Sequence, residues 1–127
     1  MVTANLTTTP DLSTPSIARA RQTTRLYLED LRPIADDAAD AVVLVVSELV
    51  TNALRHGDGT WALDLAAHPD SIEVAVHDHG SLPPRLRIPE INGIGGFGWR
   101  MVNRLARFTQ AVPHPSGGRA VSALLPR

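Results

Sequence analysis

Val46-Ser47-Glu48-Leu49-Val50-Thr51-Asn52-Ala53-Leu54-Arg55-His56-Gly57 sets the architecture of the chain. Its apolar members, joined upstream by Val42, recur at helical spacing, so that Val42, Val46, Leu49, Val50 and Ala53 form one stripe. Glu48, Asn52 and Arg55 follow one another at i, i+4 and i+7 beside that stripe, which puts three polar groups on the edge of a buried face. Asp36, Asp37 and Asp40 suit the positive end of a helix dipole, so the helix is predicted from Asp36 to about His56, where Gly57 follows.

Working outward, Ile17, Ala20, Thr24, Leu26, Tyr27 and Leu31 predict an earlier helix from Ser16, which Pro33 stops because proline has no amide donor and clashes with the preceding turn. Downstream, Trp61, Leu63, Leu65 and Ala67 alternate, as do Ile72, Val74 and Val76 after the turn His68-Pro69-Asp70, and two strands of a hairpin follow. The same alternation places Asp78 at the end of a core-facing row. From Gly80 to Gly98 the chain is rich in proline and glycine and reads as a loop, with helical spacing resuming near Trp99. Phe108 to Pro113 and Arg119 to Leu125 predict a closing hairpin, and Val2 to Leu6 a short strand. This order gives an α+β fold, with helices packed on one face of a mostly antiparallel mixed sheet. Residues 1–15 are a tail or edge strand, and 16–127 form one domain.

Composition narrows the function. Twelve basic and 13 acidic residues give a net charge of -1 with no basic run, so a nucleic-acid partner is not expected. The absence of cysteine excludes disulfides and zinc thiolates. The N-terminus lacks a signal pattern and no apolar run reaches the roughly 18 residues of a membrane span, so a soluble, cytoplasmic protein is expected. His77 and His79 share a strand face, but no third ligand accompanies them and Asp78 faces the other way.

Glu48-Leu49-Val50-Thr51-Asn52, Asp78-His79-Gly80 and Gly95-Gly96-Phe97-Gly98 carry the chemistry together. Singly, each has an ordinary reading: a solvated helix flank, an Asp-x-Gly turn and a flexible loop. In this order, on a helix, a strand end and a loop before a helix, they resemble the N box and two glycine boxes of the GHKL ATPases, which include gyrase, the heat-shock chaperone, histidine kinases and mismatch-repair ATPases. The run Val46 to Ala53 followed by Arg55-His56-Gly57, and Gly117-Gly118-Arg119-Ala120-Val121 near the end, look like the anti-sigma-factor serine kinase branch.

The resemblance implies a Bergerat-type two-layer fold that binds ATP and Mg2+. Asn52 becomes the metal ligand, since Mg2+ takes hard oxygen ligands, and Glu48, one turn earlier, the general base of phosphoryl transfer. Arg55 and His56 join the nucleotide-binding residues. Asp78 would accept a hydrogen bond from the adenine amine, Gly80 would let the backbone approach the base, and Gly96 and Gly98 would present amides to phosphates. The implied function is a serine/threonine kinase that phosphorylates an anti-anti-sigma protein of STAS type and sequesters a sigma factor, with homodimerisation allowed. The alternative is a nucleotide-gated binding module without turnover. Ile94 stands where the kinase branch commonly has arginine, a departure that bears on turnover, and Arg85 or Arg87 could substitute by reach.

Overall fold

The structure, a computed structural model, describes residues 5–8, 16–31, 33–56, 61–78, 94–115 and 117–127, with backbone alone for 5–8, 56 and 94–97. Five strands and three helices follow one another as β1 (Asn5–Thr8), α1 (Ser16–Asp30), α2 (Asp36–His56), β2 (Trp61–Ala67), β3 (Ser71–Asp78), α3 (Ile94–Leu105), β4 (Phe108–Pro113) and β5 (Arg119–Pro126). The sheet order is β1-β2-β3-β5-β4, and every described pairing is antiparallel. The expected α+β layering is therefore present, with the described sheet wholly antiparallel rather than mixed.

Alternation along the strands decides where the core lies. Leu63, Leu65, Ile72, Val74, Val76, Val121, Ala123 and Leu125 are all buried on one face, and α2 crosses that face against β2, β3 and β5. At 21 residues, α2 is about 30 Å long, enough to span the central strands. The expected stripe of Val42, Val46, Leu49, Val50 and Ala53 is buried along with Val45. Helix α1 stands mainly on α2, and α3 packs on α2, β4 and β5.

Local chemistry sets the ends of these elements. The Leu31 amide donates to the Leu28 carbonyl at 3.1 Å as α1 ends, just ahead of Pro33. The β4–β5 hairpin closes through Gly117 and Gly118, whose φ values of 99° and 82° are strained for residues with a Cβ. The described part of the first strand is Asn5–Thr8, which runs past the expected end at Leu6 and pairs with β2 at the sheet edge, while Val2 to Ala4 lie outside the described residues. Helix α3 begins at Ile94, five residues before the expected start near Trp99. Its glycines have low helix propensity, but Val102 is fully buried and Trp99 and Leu105 pack on the core, so tertiary packing outweighs propensity.

Candidate nucleotide site

Helix α2 presents its polar flank as the spacing foretold: Glu48 and Asn52 are half-buried one turn apart, and Arg55 is exposed. The His56 backbone ends the helix, and its side chain lies outside the described residues. The neighbouring motif residues have structural tasks. Ser47, which is buried, accepts a hydrogen bond from Arg21 Nε at 2.5 Å, tying α1 to α2, while Thr51 Oγ1 donates back to the Ser47 carbonyl at 2.6 Å.

Gly98 touches Glu48. A Cβ built on Gly98 would collide with Glu48 Oε2, so the Glu48 carboxylate can lie where it does only because this position has no side chain. Gly98 does not lie ahead of the helix as expected, since α3 already starts at Ile94. The first four amides of a helix have no partner four residues back, which includes Gly96 and leaves out Gly98. An anion at this end of α3 would meet the Gly96 amide, and the role left to Gly98 is close approach to the glutamate. Gly80, His79, Arg85 and Arg87 lie outside the described residues, as does the expected loop from Gly80 to Gly98 up to Gly93.

Asp78 closes β3 on the helix-covered face, as the alternation required, and is buried. Across the sheet it faces Arg119 of β5 in register, and the two form an ion pair. Arg119 Nε donates to Asp78 Oδ1 at 3.1 Å and to Oδ2 at 3.2 Å, and Nη2 donates to Oδ2 at 3.2 Å. An ionised carboxylate can only accept hydrogen bonds. Sequence reasoning used Arg119 only as a motif letter. The signal was available, because Arg119 falls in phase with the apolar residues Val121, Ala123 and Leu125, a charged residue in a core-facing row opposite another.

Trp61 was likewise read as packing alone. It pairs with Asp78 on the other side, is 3% exposed, and among the described residues its indole Nε1–H finds no acceptor. The outer face of the sheet has separate polar contacts: His77 Nε2 lies 2.8 Å from Asp64 Oδ2 and its Nδ1 3.1 Å from His114 Nε2, with the two rings stacked at 5.2 Å. Two described depressions, about 450 Å³ beside His68 and Phe108 and about 240 Å³ between Arg25 and Asp40, border neither Glu48, Asn52 nor Asp78.

Residues 11–122, which contain the half-buried Glu48 and Asn52, the glycine pressed on that glutamate and the buried Asp78, match the histidine kinase-like ATPase domain. The chain belongs to that family. No curated protein gives a significant match. ATP binding follows for this ATPase domain from its membership. The donor set is compatible with such a ligand in kind, since an ionised carboxylate such as that of Asp78 accepts hydrogen bonds and the glycine contact leaves the Glu48 flank close to the start of α3. No helix among its described residues is long and apolar enough to cross a membrane.

Gly98→Ala tests the close approach. The colliding atom is the end of a flexible side chain, and alanine gains about 1 kcal/mol of helix propensity over glycine. The variant should melt within a few degrees of the wild type while its crystal structure shows the Glu48 carboxylate turned aside. A drop of about 10 °C or more would mean that Glu48 has nowhere to go.

Proposed function

We propose that this ATPase domain is a protein serine/threonine kinase of the anti-sigma type, which phosphorylates an anti-anti-sigma protein of the STAS kind and, in its other state, holds a sigma factor, acting in the cytoplasm and allowed to dimerise. The observation that carries the reading is the seating of Gly98 on Glu48. It joins the N-box glutamate to the start of α3, so the proposed base and the proposed phosphate-binding amides share one edge of the domain.

In this reading Asp78 accepts the adenine amine, Asn52 holds Mg2+ through its amide oxygen, and Gly96 offers its amide to phosphate. Arg55, exposed on the same flank, is available to the nucleotide or the partner, and Gly80 and His56 keep the roles that the resemblance implies. Mg2+ supplies neutralisation of phosphate charge. Glu48 receives the proton of the acceptor hydroxyl at a carboxylate oxygen as that hydroxyl oxygen bonds to phosphorus and ADP leaves. The half-buried position of Glu48 suits this, because a base there is screened less than one in open water.

The direct test is incubation with labelled ATP, Mg2+ and an anti-anti-sigma protein encoded nearby. Label on a serine or threonine of that protein supports the kinase. Nucleotide-dependent complex formation without label would replace it with the second reading, a nucleotide-gated binding module, which Ile94 in the place of the usual arginine favours. The metal role of Asn52 has its own test. Asn52→Ala is expected to weaken ATP binding much more in Mg2+ than in EDTA, as read by calorimetry, and equal losses in both conditions would make Asn52 a structural residue of α2.

A further inference from the structure

At one end of the sheet the register lays Trp61, Asp78 and Arg119 side by side on β2, β3 and β5. All three are on the helix-covered face and nearly inaccessible, at 3%, 4% and 4% exposure. The row runs donor, acceptor, donor. Arg119 donates to both oxygens of Asp78, and a carboxylate in such an ion pair accepts hydrogen bonds.

The bulk of Trp61 is explained by packing, since it is part of the core cluster. Its N–H is not. A phenylalanine or leucine would fill the core without burying a donor, and buried indole N–H groups usually have a partner. Among the described residues this one has none, which is costly for a donor shut away from water. The register sets Trp61 directly opposite Asp78, so a residue of β2 with a donor and a residue of β3 with an acceptor are neighbours on strands about 4.8 Å apart.

We propose that Trp61 is a specificity-determining residue of the nucleotide site, its Nε1–H donating to the ring N1 of the base whose exocyclic amine Asp78 accepts. The assignment rests on the ATP-binding reading of Asp78. The amine and N1 of adenine are adjacent, a donor beside an acceptor, and the pair Asp78 and Trp61 is their complement. Guanine reverses both, with a carbonyl facing the carboxylate and an N–H facing the indole N–H. A carboxylate has no proton to offer the guanine carbonyl.

The test measures binding by calorimetry on the full chain in Mg2+, with ATP and with 1-deaza-ATP, in which N1 is replaced by C–H. The wild type should bind 1-deaza-ATP about tenfold more weakly than ATP, the usual worth of one such hydrogen bond. Trp61→Phe, which keeps a ring and loses the N–H, should bind ATP about tenfold more weakly than the wild type does and should no longer distinguish the two nucleotides. A packing role alone would lower both affinities together and preserve their ratio, which overturns the proposal. If the variant does not fold, the two nucleotides on the wild type still decide. Equal wild-type affinities overturn the Trp61 assignment and leave ATP binding intact, whereas a folded wild type that binds neither nucleotide overturns both.

Discussion

Asp78→Ala is expected to lower folding stability by about 3–5 kcal/mol as well as to abolish ATP binding, because it leaves the Arg119 guanidinium buried without its carboxylate. The side chains of the pair are 4% and 1% exposed, so water cannot take over the lost contact. Against a total stability of about 5–15 kcal/mol for a domain, the loss is large, and a fall of roughly 10–20 °C in melting temperature is expected. Loss of nucleotide binding in this variant would by itself prove nothing about the base. The informative protein is the double variant Asp78→Leu with Arg119→Leu, since replacing both members of a buried ion pair by apolar residues is often neutral or stabilising. It should melt near the wild-type temperature and still fail to bind ATP. A single variant that melts with the wild type would show that the pair contributes nothing, and a double variant that binds ATP normally would remove Asp78 from the site.

Glu48→Gln is expected to reduce phosphoryl transfer to the anti-anti-sigma protein about 100-fold or more, with ATP affinity nearly unchanged. A general base acts on the proton of the nucleophile and contributes little to holding the ground-state nucleotide, so the two measurements should separate. The contact with Gly98 makes the choice of substitution matter. Glutamine has the size of glutamate and keeps the surface on which Gly98 rests, whereas alanine would open a gap between α2 and α3 and confuse loss of basicity with loss of packing. Transfer that survives in Glu48→Gln would exclude Glu48 as the base. A parallel fall in affinity would instead mean that its carboxylate binds the nucleotide or its metal.

The extent of α2 was legible because its apolar stripe and its first-turn aspartates agree with each other, and the strands β2 and β3 because alternation and the turn His68-Pro69-Asp70 do. That consistency between pattern and local chemistry makes a segment readable. The start of α3 was not legible. Glycine at 95, 96 and 98 argues locally for a loop, and only the packing of Trp99, Val102 and Leu105 against the core supports the helix through them.

The sequence by itself determined the α+β order, the face of α2 that is buried, the polar flank of Glu48, Asn52 and Arg55, and the core-facing phase of Asp78, since each follows from spacing along one element. Only the tertiary structure decided what those groups meet. The neighbours of Asp78 come from residue 61 on one side and residue 119 on the other, and the neighbour of Glu48 from residue 98. The periodicity of a single segment states which face a residue occupies but not which strand lies beside it or in what register. That is set by the sheet order β2-β3-β5 and by the packing of α3 on α2, which bring residues far apart in the chain together only when the whole core closes.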